Sequence, residues 1–84
     1  MNHPPIIDVI IPAYNEEKSI PKVIAEIPDF VRHIVVANNN STDQTQQAAE
    51  AAGAKVVFEP QKGYGKACLT AMDWIKKQEI QPDI

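Results

Sequence analysis

Ile6-Ile7-Asp8-Val9-Ile10-Ile11-Pro12-Ala13 runs directly into Tyr14-Asn15-Glu16-Glu17, and the fold turns on how this stretch is read. Ile6, Ile7, Val9, Ile10 and Ile11 are too continuous for a strand with one wet face, so they predict a strand buried on both faces, as in a parallel sheet. Pro12 cannot donate to a ladder and is expected to end it. Two similar runs follow. His33-Ile34-Val35-Val36-Ala37 is β-branched at its centre and closes on Asn38-Asn39-Asn40, residues that tolerate left-handed turn geometry. Ala54 to Phe58 supplies a third strand, ended by Pro60.

Each run leads into a helical pattern. Ser19 is placed to cap a helix in which Ile20, Val23, Ile24 and Ile27 share one face, and Pro28 stops it. Ser41-Thr42-Asp43-Gln44 matches a capping box before a second helix bearing Ala48, Ala49 and Ala52, which ends at Gly53. Gly63-Tyr64-Gly65 introduces a third helix with Ala67, Ala71, Trp74 and Ile75 inward. Asp83-Ile84 then reads as the start of a fourth strand. Strand, helix, strand, helix, strand, helix demands parallel pairing, so the fold class is α/β, a doubly wound βαβαβα unit. Three parallel strands normally have neighbours on both sides, which makes residues 1–84 read as the amino-terminal part of a longer domain. A small domain that self-associates through an open sheet edge is the other reading.

The composition sets outer limits. With 84 residues, 44% hydrophobic and 23% charged, the chain suits one small core and not a disordered tail. A net charge of -3 argues against nucleic-acid backbones as partners. Cys68 is the only cysteine, which excludes an intrachain disulfide and fits a reduced, cytoplasmic setting. No apolar stretch approaches the roughly 20 residues of a membrane span.

In doubly wound sheets ligands bind beyond the carboxyl ends of the strands, where Pro12 to Glu17, Asn38 to Asp43 and Pro60 to Gly65 converge. Backbone amides at Asn39 to Thr42 suit an anion or the edge of a base, although Ser41 and Asp43 are also explained as helix caps. Lys66 can meet a pyrophosphate as a point charge, or simply be solvated. Gly63-Tyr64-Gly65-Lys66-Ala67-Cys68 has a dinucleotide flavour but follows the wrong strand, and no phosphate-loop lysine motif exists. His3 and His33 lie away from the proposed site, and no nucleophile-base pair or metal cluster assembles from these residues.

Three segments, Val9-Ile10-Ile11-Pro12-Ala13-Tyr14-Asn15-Glu16-Glu17, Ile34 to Asp43 and Gly63-Tyr64-Gly65-Lys66-Ala67, together resemble the amino-terminal part of family 2 glycosyltransferases, with their GT-A fold. The polyprenyl- and dolichol-phosphate sugar transferases are the branch they resemble most. The resemblance implies a parent enzyme that transfers a sugar, with inversion, from a nucleotide-diphosphate donor to a saccharide or lipid-phosphate acceptor. This chain then supplies the donor nucleotide half, and work on a lipid acceptor places it at the cytoplasmic membrane face. By the same resemblance Pro12, Ala13, Tyr14 and Glu16 frame base and ribose, Asn38 and Asn39 lie at the base, and Lys66 lies near the diphosphate. Asn38 and Asn39 replace residues that are acidic in the family, which favours UDP over GDP because guanine's paired donors are better served by a carboxylate. The divalent metal, Mg or Mn, and the catalytic residues are expected from a motif beyond Ile84. A non-catalytic nucleotide-binding or assembly module is the competing function, and a dinucleotide-dependent oxidoreductase ranks below it.

Overall fold

The computed structural model describes residues 4–84, so His3 lies outside the described residues. Strands β1 (Asp8–Ala13), β2 (His33–Asn38) and β3 (Lys55–Phe58) alternate with helices α1 (Ile20–Ala25), α2 (Thr45–Ala51) and α3 (Tyr64–Lys76). The strands form one parallel sheet in the order β1-β2-β3. Ala13 pairs with Asn38 and Asn38 with Phe58, so all three strands finish level and release their loops at one edge.

Alternation along β2 shows why its sequence is apolar throughout. Val36 packs with Ala13, Ile20, Ile24, Ala49 and Ala54 beneath α1 and α2, whereas Val35 and Ala37 pack with Ala67, Ala71 and Ile75 of α3 on the opposite face. Both faces are covered, as expected of a doubly wound sheet. Ala49, Ala67 and Ala71 are fully buried, and their small side chains bring the helix axes close to the strands.

β1 continues through Pro12, contrary to the expectation that proline ends it. The carbonyls of Ile7 and Ala13 accept from the Arg32 and Asn39 amides on the β2 side, while the Asp8 amide donates outward. Alternate residues of a parallel strand bond to opposite neighbours, so the donor that Pro12 lacks falls on the outer edge and no ladder bond is lost. On that edge the Ile84 amide donates to the Ile6 carbonyl at 3.1 Å, and the Asp8 amide to the Ile84 carbonyl at 3.0 Å. This is the parallel pattern, so Ile84 lies on the far side of β1, giving the spatial order β3-β2-β1-Ile84.

The approach of that segment is fixed from below. Arg32 donates through Nε and Nη2 to the two Asp8 carboxylate oxygens at 3.0 and 2.7 Å, and through Nη1 to the Ile80 carbonyl at 2.7 Å. One planar guanidinium thus ties the start of β1 to the chain leaving α3. The Asp8 side chain is 1% exposed. Burial pushes its carboxyl up, but the hydrogen bonds from Arg32 and His33, with their charges, hold it below its ordinary value.

Helix ends depart from expectation in two places. Val23 is 42% exposed although Ile20 and Ile24 of the same helix are buried. The Ser19 hydroxyl donates to the Glu16 carboxylate at 2.6 Å instead of capping α1. α2 does end as expected at Gly53, whose φ of +99° is a conformation L side chains rarely adopt. An alanine Cβ there would meet nothing within 4 Å, so Gly53→Ala isolates backbone strain. The expected cost of about 1 kcal/mol lowers the melting midpoint by roughly 5 °C in a thermal scan.

Candidate functional site

The three loops at the carboxyl edge are bonded into one rim. Asn15 adopts φ +51° and Asn40 φ +58°, the left-handed turns that asparagine tolerates. In this conformation the Asn15 amide donates to the Ser41 hydroxyl at 2.9 Å, and the Thr42 amide donates back to Asn15 Oδ1 at 2.8 Å. The Glu16 amide donates to the buried Thr45 hydroxyl at 2.8 Å, and the Glu17 amide to Asp43 Oδ2 at 3.3 Å. Asp43 Oδ1 also accepts from the Thr45 amide at 2.9 Å and from its hydroxyl. Burial pushes the Asp43 carboxyl up, and these bonds more than offset it, leaving it below its ordinary value.

The expected capping box is therefore redistributed. Ser41 reaches back to the first loop, and Asp43 serves the first turn of α2 and the first loop together.

A second set of bonds joins β2 to the loop after β3. The Asn39 amide donates to the Ala13 carbonyl at 2.8 Å. Its side-chain Nδ2 donates to the carbonyls of Glu59 at 3.1 Å and Gln61 at 2.6 Å, and Oδ1 accepts from the Gly63 amide at 3.0 Å. Glu59, itself buried, accepts from the Thr70 hydroxyl of α3 and from the Gln61 amide at 2.9 Å. The Thr70 bond, then the Gln61 bond, hold its carboxyl below the ordinary value against burial, aided by the charge of Lys66.

Between the first and third loops lies an open cavity of about 300 Å³, lined by Tyr14, Asn39, Lys62, Gly63 and Tyr64. Tyr14 and Tyr64 are 43% and 50% exposed, so ring surface remains for a ligand. A neighbouring hollow of about 230 Å³ is lined by Asn15, Glu16, Glu17, Lys18, Ser19 and Asp43. Aromatic faces beside a lysine suit a planar ring carrying an anionic group. Among the described residues no group of three His, Cys, Asp or Glu side chains is placed to hold a metal ion. No described helix is long and apolar enough to cross a membrane.

The family description "Glycosyl transferase family 2" matches residues 8–80, the whole of the sheet and its helices. The chain belongs to glycosyl transferase family 2. An uncharacterised glycosyltransferase of Mycobacterium tuberculosis is 51% identical over 61 residues, covering 73% of this chain. Protein RfbJ of Shigella flexneri is 51% identical over 67 residues, 77% of this chain and 52% of its own length. Among solved structures, glucosyl-3-phosphoglycerate synthase from Mycobacterium tuberculosis, in complex with Mn2+, UDP and glucosyl-3-phosphoglycerate, superposes with a TM-score of 0.72 at 34% identity. That match covers 81% of this chain and 29% of the synthase, and the chain spans 28% of the mycobacterial relative's length.

In this family 2 chain three of the anticipated site residues line the two hollows. Tyr14 and Asn39 line the larger, and Glu16 lines the smaller. Ala13 is fully buried in the core and Pro12 half-buried, and neither lines a hollow. Asn38 is 3% exposed, its Oδ1 accepting from the Ser41 amide at 3.1 Å. Lys66 is exposed on the first turn of α3 and lines neither hollow. Lys62 and Tyr64 are the residues that sequence reasoning missed. Their signal was present: both flank Gly63, whose φ of +122° marks the turn where the chain swings to the rim.

Proposed function

We propose that this chain is the donor-nucleotide part of a glycosyltransferase that uses a UDP-sugar. The observation that carries this reading is the cavity of Tyr14, Asn39, Lys62, Gly63 and Tyr64, set at the carboxyl edge of a doubly wound sheet. Pro12, Ala13, Tyr14 and Glu16 frame the base and ribose, with Asn38 and Asn39 behind them, while Lys62 and Lys66 face the diphosphate. Uracil is favoured over guanine because Asn38, at the end of β2, presents no carboxylate to guanine's two donors. The UDP held by the similar synthase supports the same choice.

The reaction is displacement at the anomeric carbon. The bond to the acceptor oxygen forms as the bond to the diphosphate oxygen breaks, with inversion, and the nucleoside diphosphate leaves. This chain's contribution is to hold the donor so that the anomeric carbon is presented in one orientation. The acceptor is a saccharide or a lipid phosphate, and a divalent metal, when bound, would take charge from the leaving diphosphate. With a lipid acceptor the enzyme works at the cytoplasmic membrane face.

Titration calorimetry with UDP, GDP and NAD, with and without manganese, tests the reading. UDP is expected to bind without metal and more tightly than GDP. Selective NAD binding, or no nucleotide binding by a chain that circular dichroism shows to be folded, overturns it.

A further inference from the structure

Asn39 occupies an unusual position, because it lines the cavity yet has its carboxamide committed to the protein's own main chain. Two donors and one acceptor on one short planar group meet two carbonyls and one amide, all belonging to residues 59–63. Aspartate would place acceptors against two carbonyl oxygens, and alanine would offer nothing. Glu59 and Thr70 anchor the same loop from the α3 side.

We propose that Asn39 is a positioning residue: its carboxamide fixes the 59–63 wall, and with it Lys62, at the distance from Tyr14 that admits a nucleoside diphosphate. It acts through the loop and not by contact with the ligand. The ligand in this statement rests on the UDP reading above; the wall itself does not.

Three measurements on the full chain test it. In the native protein the Gly63 amide, although it belongs to an exposed residue, is expected to be protected from hydrogen exchange by Asn39 Oδ1. Asn39→Ala should raise its exchange about tenfold or more, the loss of one part-buried hydrogen bond. Asn39→Asp should weaken UDP about tenfold at pH 7.5 relative to the native chain. At pH 5 the ratio should narrow, because a carboxyl facing two carbonyl oxygens gains a proton and can again donate to one of them. The groups facing this loop are Glu59, Lys62, Lys66, Tyr14 and Tyr64. Glu59 is held below its ordinary value and remains ionised at pH 5.

An unprotected Gly63 amide in the native chain overturns the proposal even where both variants fail to fold. So does a ratio that stays constant with pH while Gly63 exchange in Asn39→Ala stays native, which would make Asn39 a direct ligand contact. Failure of the native chain to bind UDP sinks the nucleotide reading alone, and Gly63 exchange then decides whether Asn39 fixes the wall.

Discussion

Thr45→Val is expected to lower the melting midpoint by roughly 10 °C and to weaken UDP binding about tenfold. Valine fills nearly the same space, so packing against the fully buried site is kept. What disappears is the hydroxyl that accepts from the Glu16 amide at 2.8 Å and donates to Asp43 Oδ1. Losing the part-buried bond from the Glu16 amide together with the bond to the Asp43 carboxylate costs about 1–3 kcal/mol, and in a domain of this size each kcal/mol moves the midpoint by roughly 4–8 °C. The ligand effect follows because the first loop loses a tie to α2. Thr45→Ser keeps the hydroxyl and should recover most of the UDP affinity. Thermal scans and calorimetry on the pair check this, and a valine variant with native affinity would show that the Thr45 bridge does not hold the first loop.

Asp8→Asn should also lower the midpoint by roughly 10 °C near neutral pH, since it strips the charge from the partner of Arg32 in a two-pronged pair. The variant fixes a dependence on acid. Asp8 has a folded value below its ordinary 3.8, so its contribution is complete above that value and is lost as pH falls through the folded one. The native chain's advantage over Asp8→Asn should therefore shrink as pH falls below about 4. Parallel melts from about pH 5 downward measure it. An advantage that grew on acidification below about pH 4 would contradict the pairing.

The fold was legible because parallel strands buried on both faces leave an unbroken apolar mark, as at Ile34 to Ala37, and because Gly53 and Pro28 punctuate their helices. Local pattern failed where a residue's partner is far along the chain. Ser41 looks like a cap from its neighbours, yet its hydroxyl serves Asn15, 26 residues earlier. Pro12 looks like a terminator, and only the side on which β2 lies shows that its missing donor costs nothing. The site was legible in its loops and less so in its side chains. Lys66 stands in the motif, but Lys62 lines the cavity, because Gly63 turns the chain before the helix begins. Asn39 could be placed at the rim from sequence, whereas its three main-chain partners in residues 59–63 could not.

The pairing of Ile84 with β1 carries a consequence for biosynthesis. The segment that covers the outer edge of β1 is made about 75 residues after that strand, several seconds at typical elongation rates of roughly 5–20 residues per second. Throughout that interval an apolar strand edge is open to nascent neighbours. Pro12 presents its backbone to that side without a donor, which weakens the edge as a template for another strand.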